Sequence, residues 1–409
     1  MTRRPLSRSL DPLADETLVG FLLRLARHNG TTPDQIAARM GLMGPADGTP
    51  GIVSPWLLAD MDKPRLVRVA RAAHLTVPEA SKLLLAPMGH RYGIVSRRYQ
   101  PWTSPQQLDR PNRWVFMRTS QFCPPCLAGD DDPLGLLYGG AWKRSWRLPM
   151  VFACSRHQRL LSSICPECRT PGQYAAKGLI ARASAEDLHP AQCRATAQPN
   201  RTGEVRRSVC GSNLARIRPP RPPGDADSLR VLLALQQRLD ALLSADGPQK
   251  VNSCGQLVPV AQYFIDLRVV ATLVLASWPE ASAFAATPTL AQAIGREAEQ
   301  RLRDSRRRTS GASKRPFGIS SLLSPLDSPL TMGAVLGIAE RLLDVRERRW
   351  TGMVVGPLYD SARTLHRDTF QKLARLPGTS SGLQGVLRVA KETTDSADPE
   401  IYIRGPRNG

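Results

Sequence analysis

Seven of the chain's eight cysteines fall between residues 123 and 210, as Cys123-x-x-Cys126, Cys154, Cys165-x-x-Cys168, Cys193 and Cys210. Each Cys-x-x-Cys can form a tight turn that points two thiolates at one ion, and zinc takes four N or S ligands in a tetrahedron. Cys154-Ser-Arg-His157 keeps the same spacing with imidazole in place of one thiolate. Cys123, Cys126, Cys154 and His157 therefore read as one Cys₃His site. Four protein ligands leave no position for a reactive water, so the ion would be structural. Cys165-Pro-Glu-Cys168 opens a second site, whose other ligands must come from His189, Cys193 and Cys210. Cys193 and Cys210 are preferred, because Gly211 supplies the tight turn that a knuckle needs; His189-x₃-Cys193 is the competing pair. Cys254 stands apart, in Asn-Ser-Cys-Gly, and reads as an unliganded thiol.

Catalytic patterns are missing. There is no His-Glu-x-x-His, no phosphate-binding Gly-Lys-Ser/Thr loop and no compact acidic triad. Asp130-Asp131-Asp132 is the one acidic cluster; it follows the first knuckle and reads as a solvated turn, with a magnesium site as the competing reading. Closing both zinc sites with protein ligands also removes the usual route to metal-assisted hydrolysis. The chain reads as a non-enzyme.

Helices must position these ligands. Leu18, Phe21, Leu22 and Leu25 recur at helical spacing, and Gly30 ends that run. Thr32-Pro33-Asp34-Gln35 restarts the chain with an N-cap, a proline at the first helical position and a glutamine to close a capping box. Helix, glycine turn and short capped helix outline a helix-turn-helix, with an ordinary helical hairpin as the competing reading. If the second helix entered a DNA groove, Gln35 and Arg39 would face it. Further helices are expected at about 64–74 and 78–86, each start marked by a proline. Residues 91–122 and 171–228 read as irregular, and Arg218-Pro-Pro-Arg-Pro-Pro-Gly224 as a stiff linker. Beyond it, stripes at Leu229–Leu243, Leu267–Val274, Leu290–Leu302, Val335–Leu343 and Phe370–Leu376 read as core-facing helices.

The expected fold class is mainly α, with helix-turn-helix-like bundles flanking a zinc-knuckle region. The expected divisions are an N-terminal helical part (1–115), a zinc-binding region (116–217), a proline-rich linker (218–228) and a C-terminal helical domain (229–409).

The 409 residues include 56 Lys and Arg against 35 Asp and Glu, a formal charge of +21. That balance points to a polyanion, most simply nucleic acid. Only eight of the 56 cations are lysine, a skew that a GC-rich gene also produces. Two stretches concentrate the charge: residues 201–221, and residues 301–315 with Arg301, Arg303, Arg306, Arg307 and Arg308. These are candidates for phosphate contact; the competing reading is an exposed helix end favoured by the macrodipole. Apolar content of 42% supports a real core, and no run reaches the ~18 apolar residues of a membrane span. The basic start leads into no signal-peptide core, so the expected location is cytoplasmic and nucleoid-associated, with no membrane partner.

Several ordered motifs resemble the TniQ family. They are Pro12-Leu-Ala-Asp-Glu-Thr-Leu18, Arg24-Leu-Ala-Arg-His-Asn-Gly30, Phe122-Cys-Pro-Pro-Cys-Leu127, Trp146-Arg-Leu148, Val151-Phe-Ala-Cys-Ser-Arg-His157, Leu160-Leu-Ser-Ser-Ile-Cys-Pro-Glu-Cys168 and Cys210-Gly-Ser-Asn-Leu214. The resemblance spans about residues 11–215 and implies a target-selection factor of a transposon. Such a factor would be a non-enzymatic adaptor linking target DNA, or an RNA-guided DNA-recognition complex, to an AAA+ transposition ATPase and a transposase. A second copy of the chain is a further partner. The resemblance also implies metal ligation by Cys123, Cys126, Cys154, His157, Cys165 and Cys168. The sequence departs from the pattern in having no compact Cys-x-x-Cys after Cys168, which leaves the last two ligands open. A zinc-containing DNA-binding transcription regulator is the alternative reading, and it would need no transposase partner.

Overall fold

The structure is a computed structural model. It describes residues 5–7, 9–43, 55–96, 98, 114–115, 117, 119–129, 133–173, 188–195, 209–218, 226–309, 324–345, 354–364 and 377–396, with residues 304–309 as backbone. Residues 310–315 of the second basic stretch, 201–208 and 219–221 of the first, the acidic triplet, most of the proline-rich linker and the Phe370–Leu376 stripe lie outside these residues.

Helix α1 (Leu18–His28) starts at Thr17, whose hydroxyl accepts from the Gly20 N–H at 3.0 Å. The expected single apolar stripe becomes burial on nearly every side, from Leu18 to Ala26. The cause lies far along the chain. Trp142 covers the helix face at Gly20, where a Cβ would stand 2.9 Å from the Trp142 Cβ. The Trp142 carbonyl accepts from the Thr17 N–H at 2.7 Å. Asp15 binds the guanidinium of Arg144 and the hydroxyl of Ser145. Beneath them Glu16 and Arg24 form a fully buried pair at 2.8 Å.

A turn with Gly30 at φ +59° leads to α2 (Pro33–Arg39), capped by Thr32. The expected capping box is only half made. The Thr32 hydroxyl accepts from the Gln35 N–H, but the Gln35 side chain bonds the Thr31 hydroxyl instead. Helix α3 (Lys63–Ala72) starts at Asp62, and α4 (Val77–Lys82) begins with a complete box between Thr76 and Glu79. Both carry the anticipated proline in the first turn. The chain then tightens into 3₁₀ turns at Ala86–His90 and Gly93–Val95.

Short helices α5 (Pro124–Ala128) and α6 (Pro133–Tyr138) precede a two-residue antiparallel pair, β1 (Ala153–Cys154) and β2 (Arg159–Leu160). The C-terminal part is helical: α7 (Ala226–Leu243), α8 (Val260–Ala276), α9 (Pro288–Thr309), α10 (Pro329–Asp344), α11 (354–364) and α12 (Ser381–Ser396). α8 is buried along almost its whole length and packs on α10. A hairpin absent from the sequence reading, β3 (Lys250–Ser253) and β4 (Gln256–Pro259), joins α7 to α8. Its two turn residues, Cys254 and Gly255, both have positive φ (+49° and +75°), the conformation that matches strand twist in a two-residue turn. Buried Asp266 of α8 accepts from the Ser253 hydroxyl at 2.6 Å and the Ser380 N–H at 2.9 Å, tying hairpin, α8 and the start of α12 together. On α9, Leu290 and Ile294 are buried as anticipated, but Leu302 is exposed because the helix runs on past the core. One continuous set of buried side chains runs from Leu6 to Ala390. Among the described residues no helix is long and apolar enough to cross a membrane.

Candidate metal centres

Two four-residue clusters stand in the middle of the chain: Cys123, Cys126, Cys154 and His157, and Cys165, Cys168, Cys193 and Cys210. Within each, the four ligand atoms lie within 4.8 Å of one another.

Local structure builds the first. Cys123 caps α5 and Cys126 sits in its only turn, so one helical turn aims both sulfurs the same way. Gly129, at φ +79°, ends that helix. Gly140 crosses beneath it, so close that a Cβ would stand 1.9 Å from the Cys126 carbonyl oxygen. From the other side, β1 delivers Cys154, and the turn before β2 delivers His157. Nδ1 of His157 lies 3.4, 3.3 and 3.4 Å from the sulfurs of Cys123, Cys126 and Cys154, and the Cys126 and Cys154 sulfurs are 3.7 Å apart.

The second cluster joins two segments. Cys165 and Cys168 lie in a turn closed by the Arg169 N–H donating to the Cys165 carbonyl and the Cys165 N–H to that of Thr170, with Arg169 at φ +56°. Cys193 and Cys210 come from paired segments, since the N–H of Cys193 donates to Ser212 and that of Gly211 to Cys193. Gly211 holds φ +69°, the tight turn expected of it. Sulfur separations are 3.8 Å for Cys165 to Cys210 and 3.7 Å for Cys168 to Cys193.

These distances exclude disulfides, whose sulfurs are ~2.05 Å apart. They fit a shared ion, because tetrahedral bonds of ~2.3 Å place two sulfurs about 3.8 Å from each other. Crowded thiols cannot all ionise without a cation. A hydrogen bond with Cys126 pushes the Cys123 thiol up, hydrogen bonds from Cys123 and Cys126 pull Cys154 down, and burial pushes Cys193 up. Both donor sets could hold a metal ion.

His189 is outside the second cluster. Its Nδ1 accepts from the Ala191 N–H at 3.2 Å, and its ring lies against Gly139. Burial, then Arg27 and Arg194, lowers its pKa.

A glutamine unremarked in the sequence proves central to the first cluster. Gln236 of α7 is fully buried, and its Oε1 accepts from the N–H groups of Phe152 (2.8 Å) and Ala153 (3.0 Å), immediately before Cys154. Its amide donates to Asp240 at 2.8 Å, and Asp240 accepts from Ser155, immediately after Cys154. The signal was a glutamine on the apolar face of the helix, four residues after Leu232 and three before Leu239.

The candidate DNA residues lie elsewhere. Gln35 and Arg39 are exposed, one turn apart on α2. Arg303 is exposed and pairs with Glu299 at 3.6 Å. Arg301 is committed to the fold: its guanidinium donates to the carbonyls of Ser324 (2.9 Å) and Pro325 (2.8 Å) and lies 3.7 Å from Glu297. Arg306, Arg307 and Arg308 lie on the last turns of α9, with side chains outside the described residues.

A mainly helical chain with two clusters of four Cys/His side chains at its centre defines the class: a helical protein whose middle could hold two metal ions. Residues 7–161 match the model of the TniQ family. The match suggests a role related to transposition and target selection. The match includes the first cluster and stops before the second, short of the 11–215 that the motifs had indicated. No curated protein and no solved structure matches the chain.

Proposed function

We propose that the chain is a non-catalytic transposition adaptor, which couples a chosen DNA target to a transposition ATPase and transposase. The observation that carries this reading is the TniQ match over residues 7–161, which includes all four members of the first cluster. The clusters take zinc, two ions per chain, held by Cys123, Cys126, Cys154 and His157 and by Cys165, Cys168, Cys193 and Cys210. Bound zinc supplies a cross-link here rather than a reactive water, since protein ligands fill all four positions.

The N-terminal helices form the DNA side of the adaptor. α1, the Gly30 turn and α2 act as a helix-turn-helix-like unit, with Gln35 and Arg39 turned outward. The basic end of α9 adds phosphate contacts that are independent of sequence. The target is met either directly or through an RNA-guided complex that already holds it.

Affinity capture of the tagged chain from its native host tests the reading. An AAA+ ATPase and a transposase are expected among the captured proteins, with or without an RNA-guided complex. Recovery of none of these, from cells in which transposition is active, overturns the adaptor role.

A further inference from the structure

Helix α3 buries Val69, Ala70 and Ala72 and turns Lys63, Val67, Arg68 and Arg71 outward. Residues three and four apart are neighbours on a helix, so these side chains share one face. Every charge on that face is positive. The nearest carboxylate, Asp62, is spent locally, accepting from the Arg65 N–H at 2.8 Å and lying 3.7 Å from its guanidinium.

Other arginines serve the fold: Arg24 pairs with Glu16, Arg144 with Asp15, and Arg301 with Glu297. By contrast, the side chains of Lys63, Arg68, Arg71 and Arg39 take part in no hydrogen bond or ion pair among the described residues. Arg68 also links two helices. A Cβ built on Gly41, just beyond α2, would stand 3.0 Å from Arg68 Nε. The basic face of α3 therefore adjoins the end of α2, two residues past Arg39. Like charges at helical-neighbour spacing, as in Arg68 and Arg71, repel rather than stabilise. Their placement favours an external anion.

We propose that Lys63, Arg68 and Arg71 of α3, with Arg39 of α2, form a surface that grips the phosphates of double-stranded DNA. The proposal rests on the DNA-contact part of the adaptor reading and extends it to a second helix. The chemistry favours nucleic acid over an acidic protein. A protein interface needs large apolar or aromatic anchors at its centre, and the exposed apolar residues of α3 are only Pro64 and Val67, neither of them aromatic. Phosphates need only cations set along the backbone. At 1.5 Å per residue, Lys63 and Arg71 stand about 12 Å apart along the helix, a span of several phosphates.

The test uses the full zinc-loaded chain and short DNA duplexes of unrelated sequence, with affinity measured across a range of salt. Triple substitution Lys63→Gln, Arg68→Gln, Arg71→Gln should weaken binding equally for every duplex. It should also flatten the plot of log affinity against log salt by about three units. Arg68→Lys with Arg71→Lys should keep the wild-type slope, because a point charge suffices for a phosphate. Metal content and thermal melting identify any misfolded variant. If wild type binds the duplexes and the triple variant binds with the same affinity and slope, this surface is overturned while DNA contact stands. Loss of ATPase capture with unchanged DNA binding also overturns it, assigning the face to a protein. If wild-type chain binds no duplex at low salt, direct DNA contact itself fails, and this proposal with it.

Discussion

Individual side chains carry two kinds of strain on this fold, crowded thiols and buried charge, and each yields a prediction. Purified chain should hold two zinc ions, and Cys154→Ser and Cys210→Ser should each lose one, while His189→Ala keeps both. Structural zinc contributes about 10 kcal/mol or more to folding in small modules, so each loss should show as a lower melting temperature. Elemental analysis that finds one ion in the wild type removes the two-site reading. Buried charge concerns Glu16. Burial pushes its carboxyl from 4.5 up to about 7, against the attraction of Arg24. The folded state then holds the proton more tightly than the unfolded chain does. Its contribution to stability is complete below pH 4.5 and is lost as pH rises through about 7. At ~1.4 kcal/mol per pH unit the full loss is about 3.5 kcal/mol. Glu16→Gln has no proton to lose. Urea unfolding at about pH 5.5 and about pH 8 should show wild type losing stability relative to the variant as pH rises. Parallel profiles would mean that Arg24 keeps the carboxyl ionised throughout.

Between elements, the telling contact is α7 against the strand that carries Cys154. Gln236 satisfies two backbone donors that no water reaches, and Asp240 holds the next turn through Ser155. Gln236→Leu keeps an apolar surface but strands both N–H groups, at about 1–3 kcal/mol for each buried donor left unpaired. Amide exchange at Phe152 and Ala153 should accelerate, with both zinc ions retained; unchanged exchange would show that the strand holds itself. Gly140→Ala should act from the other side, since its Cβ would collide with the Cys126 carbonyl and open the first cluster, releasing one ion. These contacts mark how far the sequence was legible. Thiol spacing assembles both clusters on paper, since a Cys-x-x-Cys turn is a local object, and the structure groups Cys210, next to Gly211, with Cys165, Cys168 and Cys193 while His189 lies outside that group. Thr32 and the prolines that open α2, α3 and α4 declare helix starts for the same reason. Gln236, the Asp15–Arg144 bond and the all-round burial of α1 are illegible, because each depends on a partner scores of residues away. The β3–β4 hairpin is missed differently: Cys254-Gly255 turns the chain through positive φ with a residue that seldom does so.

At the scale of the whole molecule, a charge of +21 favours an anionic partner without saying where it would bind. Among the described residues, some arginines hold the fold, and Arg301 near the end of α9 is one of them. Arg301 braces Ser324 and Pro325, beside a Glu297 carboxyl that bonds Thr331 of α10. Arg301→Ala should therefore lower stability and leave the salt dependence of DNA binding unaltered, because its cation already has neighbours within the chain. Arg306, Arg307 and Arg308 lie one to two turns further on, past the last buried residue of the α9 stripe. Replacing all three with alanine should weaken binding to the same degree for every DNA sequence and flatten the salt plot by about three units, since each phosphate contact releases about one counterion. Sequence preference should stay as it was. A phosphate contact fixes register and carries no base information, so any preference would belong to a base-facing side chain such as Gln35 on α2. Two variants at one helix end thus separate two roles that composition merges. If the triple variant binds DNA normally but no longer captures the transposition ATPase, α9 docks an acidic protein surface instead. If DNA binding, capture and transposition all survive, these arginines reflect only the composition of the gene, and the charge argument fails at α9.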